Sequence, residues 1–390
     1  MPWTETDPMT ERHKFILAQE EGLFSMTELC DRFGISRKTG YKWLGRYREE
    51  GVAGLSDRSR APKHCPHQTP EPTRDLVIEA REAHPRWGPR KLLDYLRPRH
   101  PEVNFPAPST VGDILKREGL VDPRLPRRRP THPGASPIEA KAPGEVWTAD
   151  FKGEFRLQSG TYCYPLTVQD ACSRMLLACV GLESTAHNGA EEVFRQLFCK
   201  HGLPRSIRTD NGAPFASHAL CGLSRMSVWW IKLGIEPDRI QPGCPQQNGR
   251  HERMHRTLKA ETTRPPEATF SDQQDRFDDF QTEYNDVRPH QALDGAVPKS
   301  RYAPPNVLLD RTMPAHCPEP QYPGHLEVRK VGASGAVRFK GRWLFVSQVL
   351  TAEHVGLEEI DDGVWNLLFG EVLLGRLDER NWTLHQGHPF

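Results

Sequence analysis

The sequence lacks the features that mark two large classes of protein. Its nine cysteines include no Cys-x-x-Cys pair, which argues against a disulfide framework and against a zinc ribbon. The longest apolar run, Met175 to Leu182, is far shorter than the roughly 20 residues that a membrane helix requires. We therefore expect a cytoplasmic protein with reduced cysteines, without export or membrane insertion.

The chain also has almost no net charge. Its 52 Lys and Arg residues nearly balance 51 Asp and Glu residues, which leaves a formal charge of +1. A surface that binds nucleic acid would therefore have to be a local basic patch. The length of 390 residues exceeds one ordinary domain, so the sequence predicts several compact units.

The first part of the chain has the pattern of short helices joined by turns. In residues 1–60, apolar side chains recur at helical spacing, Gly34 interrupts them, and Ser36 follows as a helix N-cap. This pattern predicts a helix-turn-helix domain. Its second helix carries cations on the early turns, and these are candidate DNA contacts: Arg37, Lys38 and Lys42.

A second helical unit is expected over residues 70–121, where a Trp87-Gly88-Pro89 break separates two helical stretches. It resembles another helix-turn-helix domain, and Arg90 and Lys91 are its candidate DNA contacts. Residues 122–144 follow, rich in proline and arginine, and cannot build a core. This linker either lies along phosphates, through Arg127, Arg128 and Arg129, or is a solvated spacer.

From residue 145 the pattern changes to strands. Three strands followed by alternating helices and strands predict an α/β core over residues 145–300. Further short strands with turn pairs such as Asp362-Gly363 predict a small antiparallel β-barrel over residues 322–390. The expected fold is thus a multidomain α/β protein, with all-α units at the N-terminus and a β-barrel at the C-terminus.

Three acidic residues stand out in the α/β part. Asp150 lies in an apolar strand, Asp210 ends a short strand before an Asn-Gly turn, and Glu252 lies on a polar helix. Taken singly, they could be a satisfied strand-end acid, a turn residue and a solvated charge. Together, three carboxylates from separate segments are a ligand set for paired divalent cations, which neutralise the attacking and leaving oxygens of a phosphodiester.

Asp170 is the main competitor for a catalytic role. Its spacing in Thr167-Val168-Gln169-Asp170 suits a strand-to-strand connection, so we interpret it as a turn residue paired with Arg174.

The acidic residues lie within motifs that resemble the DDE transposases and retroviral integrases. The matching segments are Trp147-Thr148-Ala149-Asp150, Thr209-Asp210-Asn211-Gly212, Gln246 to Arg253, Lys259 seven positions after the glutamate, and Tyr284 to Leu293. Within that group, Gly222 to Trp230 and His251 to Glu261 are most similar to the insertion-sequence family numbered four-eighty-one.

The resemblance implies a ribonuclease-H-like core in which Asp150, Asp210 and Glu252 are catalytic and bind two Mg²⁺ ions, with Mn²⁺ able to substitute. Arg250 and Lys259 could contact phosphates of the bound DNA end. Asn248 and His255 could position the scissile phosphate, or they could simply cap and decorate the helix.

The expected activity is that of a transposase, a metal-dependent polynucleotidyl transferase. It would bind terminal inverted repeats, cleave at the element ends, and join the freed 3′-hydroxyl to target DNA as a homo-oligomer. Two alternatives remain: a catalytically idle, transposase-derived DNA-binding regulator, and a general ribonuclease-H-like nuclease.

Overall fold

The computed structural model describes residues 7–59, 68–121, 139–217, 219–241, 244–305 and 310–386. The chain divides into two compact units, residues 1–69 and 70–390. The first unit contains three helices: α1 (Pro8–Glu20), α2 (Met26–Arg32) and α3 (Arg37–Glu50). As expected, Ser36 caps α3, since its side chain accepts a hydrogen bond from the Thr39 backbone N–H at 3.2 Å.

The second unit begins with three more helices, α4 (Glu71–Ala83), α5 (Pro89–Leu96) and α6 (Pro108–Arg117). Trp87, at the break before α5, is 1% exposed and belongs to their common apolar core. Its ring stacks on His84 with a centroid separation of 3.7 Å. The helical pattern of the sequence therefore forms a small helical bundle.

A cation–π contact and a contact between a histidine and a carboxylate join this bundle to the α/β core. Arg288, which is 7% exposed, donates to Glu261 at 3.0 and 3.2 Å, and its guanidinium lies 5.9 Å from the Trp87 ring. His84 lies 3.4 Å from the Glu283 carboxylate. The Arg-Pro-His segment of the sequence thus holds the second helical unit onto the core.

The core is a six-stranded mixed sheet. Its strands are β1 (Val146–Phe151), β2 (Phe155–Arg156), β3 (Tyr162–Asp170), β4 (Leu176–Leu182), β5 (Ser206–Thr209) and β6 (Glu236–Arg239). The order is β2-β3-β1-β5-β6, with β4 on β3; β1, β3 and β4 pair antiparallel, whereas β5 and β6 run parallel to β1. This is the mixed sheet expected of a ribonuclease-H-like core.

Helices cover both faces of the sheet, which explains why β1 is buried. One face packs against α7 (His187–His201) and α8 (Arg225–Lys232), and the other against α9 (Gly249–Thr262) and α10 (Phe270–Thr282), with the short α11 (Pro298–Arg301) following. Trp147 and Ala149 belong to the α7 and α8 side. Because side chains alternate along a strand, Thr148 and Asp150 face α9.

The C-terminal strands form a sheet that does not close. Strands β7 (Glu327–Lys330), β10 (His354–Asp361), β11 (Val364–Phe369), β12 (Val372–Asp378) and β13 (Thr383–Gln386) give the order β13-β12-β11-β10-β7, while β8 (Ala336–Phe339) and β9 (Arg342–Phe345) pair only with each other. In the described residues β13 and β7 are not paired. The predicted closed barrel is therefore not observed.

The reason lies in what the sheet packs against. Its hydrophobic core includes Leu223 and Val228 from the start of the α8 region, and Lys232 at the end of α8 donates to Glu353 at 2.8 Å. The apolar face of the sheet is therefore covered partly by the α/β core. In a closed barrel, the strands of the barrel itself would cover that face. Within the described parts of the chain, no helix has the length and apolar character needed to cross a membrane.

Candidate active site

The sheet topology brings the two aspartates to one edge. Asp150 lies near the end of β1, and Asp210 directly follows β5. Strands β1 and β5 are parallel neighbours, with Thr148 of β1 paired with Arg208 of β5. The carboxyl ends of parallel strands meet at the same sheet edge, where sites of open α/β sheets collect. Glu252 lies in the first turn of α9, which packs on β1.

The three carboxylates influence one another electrostatically. Burial raises the pKa of Asp150 to about 7, and the negative charges of Asp210 and Glu252 add to that rise, while Lys152 opposes it. Clustered carboxylates repel one another, so at least one of them binds a proton more tightly than a free acid does. A bound divalent cation would remove this penalty.

A tight turn orients Asp210. Its Oδ1 accepts a hydrogen bond from the Gly212 backbone N–H at 3.0 Å, and the Asn211 side chain anchors the loop by donating to the Ile240 carbonyl at 2.9 Å. A Cβ added at Gly212 would lie 3.0 Å from Asp210 Oδ2. Glycine at this position therefore leaves room for the carboxylate.

The donor chemistry suits a hard divalent cation, because all three side chains offer carboxylate oxygen. Glu252 is exposed and accepts no hydrogen bond from any described residue, so its side chain is available to turn toward the aspartates. In the described residues, no three His, Cys, Asp or Glu side chains form a ready metal cluster. The three carboxylates are thus not yet arranged around one point, and their side chains must move before they can bind the same cations.

Below Asp150, buried polar side chains join β1 and β3 to α9. Thr148 Oγ1 lies 2.8 Å from His251 Nδ1, and Thr167 Oγ1 lies 2.7 Å from His251 Nε2 and 2.6 Å from His255 Nε2. Thr167 also donates to the Asp150 carbonyl at 3.1 Å. His255 Nδ1 is 3.5 Å from Asp150 Oδ2.

The single hydroxyl proton of Thr167 determines which ring nitrogen of His251 and of His255 carries a proton. Its hydroxyl has one proton, which goes to the Asp150 carbonyl, so both histidine Nε2 atoms must donate to it. Burial lowers the pKa of both imidazoles, so they are neutral and their Nδ1 atoms are acceptors. Thr148 then donates its one proton to His251 Nδ1 at 2.8 Å, which is closer than the Gln169 carbonyl at 3.2 Å. His255 Nδ1 therefore faces the Asp150 carboxyl as a lone pair, an arrangement that favours a proton or a cation at that carboxyl.

The predicted DNA contacts of the N-terminal helices differ in accessibility. Arg37, Lys38 and Lys42 are exposed on α3, and Arg90 is exposed at the start of α5. Lys91 is half-buried, and burial together with Arg288 lowers its pKa to about 8. Lys91 thus faces the core, where a phosphate reaches it less readily. The predicted contacts Arg127, Arg128 and Arg129 lie outside the described residues.

The predicted contacts near Glu252 also divide into two kinds. Arg250 and Lys259 are exposed on α9. Asn248, which precedes the helix, is 4% exposed, makes no side-chain cap, and its Oδ1 has no partner among the described residues. Of the two roles expected for Asn248, helix capping is therefore not observed.

Asp170 has a structural role, with partners different from the expected one. Its carboxylate accepts hydrogen bonds from the Gly144 N–H at 2.7 Å and from the backbone and hydroxyl of Ser173, both at 2.6 Å. Asp170 is fully buried and joins the ends of β1 and β3. Arg174 does contact Asp170 in this turn, but through its backbone N–H, which donates to the Asp170 carbonyl at 3.1 Å, and not through an ion pair of the two side chains.

Sequence reasoning did not single out Thr148, Thr167, His251 or Lys152. A signal for His251 is present, because His251 and His255 are four residues apart and share a helix face. Thr148 and Asp150 likewise alternate along β1, and Lys152 continues this alternation just after the strand ends. Thr167 could not be found in this way, because its role depends on the β1–β3 register, in which it lies opposite Asp150.

Comparisons with known families agree with this architecture. Residues 140–245 and 233–298 match two integrase core domain models, residues 12–63 match a helix-turn-helix domain, and residues 39–115 match a homeodomain-like domain. The α/β core of the chain is thus similar to integrase core domains, and the helices before it are similar to helix-turn-helix and homeodomain-like domains.

Relatives of two kinds are found. An uncharacterised 39.2 kDa protein of insertion element IS476 from Xanthomonas euvesicatoria is 29% identical over 277 residues, which cover 70% of this chain and 76% of the relative. The Gag-Pol polyprotein of baboon endogenous virus is 33% identical over 132 residues, 34% of this chain but only 7% of the polyprotein.

Among solved structures, the HTLV-2 integrase catalytic core domain in complex with magnesium is similar at 14% identity. The match has a TM-score of 0.34, and it covers 42% of this chain and 100% of that one.

The raised pKa of Asp150 predicts a pH-dependent effect of Asp150→Asn. A folded-state pKa near 7, above the unfolded value near 4, means that the ionised form opposes folding. The stability contributed by protonated Asp150 is thus fully present below about pH 4 and is lost as the pH rises through about 7. In EDTA, Asn should raise the free energy of unfolding by roughly a few kcal/mol at pH 8 and by nothing at pH 4, as measured by urea denaturation. A difference that stays constant with pH would contradict the burial and repulsion described here.

The hydroxyl of Thr167 is predicted to stabilise the site. Thr167→Val keeps the shape but leaves two buried histidine nitrogens without a partner, which should lower the free energy of unfolding by about 1–3 kcal/mol. The matched control is Thr161→Val, at an exposed threonine just before β3. Equal losses in the two variants would show that the hydroxyl makes no net contribution.

Proposed function

We propose that the protein is the transposase of an insertion sequence: it cleaves DNA strands at the element ends and joins the freed 3′-hydroxyl to target DNA. The observation that supports this proposal is that Asp150 and Asp210 lie at the carboxyl ends of two neighbouring parallel strands, while Glu252 lies on the helix that packs on β1. An integrase core indicates polynucleotidyl transferase activity. Both steps are phosphoryl transfers of the same kind, so one set of carboxylates serves both.

The three carboxylates would hold two Mg²⁺ ions, for which Mn²⁺ can substitute. Bound there, the ions would supply Lewis-acid stabilisation of the attacking and leaving oxygens. Burial, and then the charges of Asp210 and Glu252, raise the pKa of Asp150, so a bound cation would relieve that carboxyl in particular. Glu252 is exposed and therefore adaptable. His255 and Thr167 fix the Asp150 backbone and carboxyl, so that this ligand does not have to be ordered when the ions bind.

DNA is the proposed partner, in two forms. The exposed cations of α3 would contact the terminal inverted repeats, and Arg250 and Lys259 beside the carboxylates would contact phosphates of the bound end. Two ends must be joined, so we expect a homo-oligomer at least on DNA. We place the chain in insertion-sequence family four-eighty-one, acting in the bacterial cytoplasm and at the nucleoid.

The surface at the carboxylates is consistent with a long polymer substrate. Two cavities, of about 460 and 320 Å³, lie elsewhere: one against Trp87 and Glu283, the other beside Asp94 and Gln291. The acidic edge lines neither of them. Glu252 is exposed at that edge, and an exposed site suits a duplex, whereas a small-molecule enzyme would enclose its substrate.

The first test is strand cleavage and joining on labelled duplexes copied from the DNA that flanks the gene. Wild type should give joined products with Mg²⁺ and none with EDTA. Asp150→Asn, Asp210→Asn and Glu252→Gln should each lower the rate by at least about a thousandfold, since each removes a ligand, while DNA binding is largely kept.

Two outcomes would redirect the assignment. Tight, metal-independent binding to true ends without any cut product would favour the DNA-binding regulator. Metal-dependent cutting without preference for the repeats would favour a general ribonuclease-H-like nuclease. Retention of strand joining in Glu252→Gln would remove that residue from the site.

The second test concerns end recognition. Arg37→Ala combined with Lys42→Ala should weaken binding to the repeats and reduce the slope of log affinity against log salt by about 1–2, because up to two phosphate contacts are lost. The control is Glu20→Ala plus Lys14→Ala on α1, which also replaces two side chains but leaves the net charge unchanged. Fluorescence anisotropy over a salt series measures the slope, and an unchanged slope would exclude Arg37 and Lys42 from contact with phosphates.

A further inference from the structure

The contact between β1 and α9 has a regular repeat. Thr148 meets His251, and two residues further along the strand Asp150 meets His255, four residues further along the helix. Two strand residues advance about 6.6 Å and four helix residues advance about 6 Å, so strand and helix stay in step. The side chains pair as successive rungs, and the rungs run toward the carboxyl end of β1.

The next rung consists of two lysines. Lys152 is two residues beyond Asp150, and Lys259 is four residues beyond His255. Lys152 remains aligned with the sheet, since its N–H donates to the Pro165 carbonyl at 2.9 Å, and α9 continues to Thr262. By the step of the two preceding rungs, Lys152 and Lys259 lie opposite each other at the next position of the strand–helix contact.

Neither lysine has an ion-pair partner among the described residues. Other lysines do: Lys14 pairs with Glu11, Lys232 with Glu353 and Lys299 with Asp286. Two neighbouring like charges oppose folding unless an anion compensates them. Asp150, two residues before Lys152, compensates them in part. That carboxylate is itself a proposed metal ligand, so its charge is shared.

We propose that Lys152 and Lys259 together bind one phosphodiester group of the DNA strand that lies along the carboxylate edge. This inference rests on the proposed function, and it assigns to Lys152 a role that the sequence motifs do not indicate. Lys donates to phosphate as a compact point charge, and two such donors from different elements fix the position of one phosphate without reading base sequence. The strand is thereby held beside Asp150 by the same contact that joins β1 to α9.

The test is DNA binding by the full chain in EDTA, where cleavage does not interfere. Anisotropy is measured over a salt series for wild type, Lys152→Gln, Lys259→Gln and the double variant. The double variant should reduce the salt slope by about 1, the value for one lost phosphate contact, and neither single variant should exceed this. The loss should be the same for a duplex copied from the flanking DNA and for a scrambled duplex.

Matched variants separate charge from folding. Lys152→Arg with Lys259→Arg keeps both charges and should retain the wild-type slope. Lys200→Gln, on the exposed end of α7, removes one charge elsewhere and should change nothing. Thermal unfolding of each variant shows whether it is folded, and loss of like-charge repulsion should leave the glutamine variants at least as stable as wild type.

Each remaining outcome overturns the inference in a recognisable way. An unchanged slope in the double variant would mean that the lysines only compensate carboxylates, and a reduction of about 2 would mean two separate phosphates. If wild type cleaves and joins DNA while either result is obtained, the proposed function stands and only the shared site fails. If wild type shows no salt-dependent DNA binding, both fail.

Discussion

The packing of α9 on β1 is the contact on which the rest of the site depends. This packing positions Glu252 at the sheet edge where Asp150 and Asp210 lie at the carboxyl ends of β1 and β5. Hydrogen bonds between buried polar side chains hold the helix there. Thr167 is central, because its single hydroxyl holds two histidines and the backbone of Asp150. Buried groups of this kind are stable only when all are satisfied, so the position of the helix is tightly specified.

The same constraint explains the electrostatic character of the site. Burial and neighbouring carboxylates raise the pKa of Asp150 to about 7, and the neutral His255 turns a lone pair toward it. Without cations this arrangement opposes folding. Structures retain such unfavourable charge at functional sites, where a ligand relieves it.

Other parts of residues 70–390 stabilise the C-terminal end of α9. Arg288 fixes Glu261, near the end of that helix, and contacts the ring of Trp87 in the second helical unit. The C-terminal sheet packs on the α8 side. The edge with the carboxylates thus lies on an α/β core that packs against the second helical unit on one side and the C-terminal sheet on the other.

Much was determined by the sequence alone. Helical spacing and caps predicted the N-terminal helices, strand alternation predicted β1, β3 and β4, and the motifs indicated Asp150, Asp210 and Glu252, because these signals depend on residues near one another in the chain. Only the tertiary structure decided the rest. Strand β6 is polar and has a proline, yet it pairs with β5 through Arg208 and a buried Asp238. The roles of Thr167 and Lys152, and the open C-terminal sheet, depend on strand register and on which surfaces pack together, and these contacts join residues that lie far apart in the sequence.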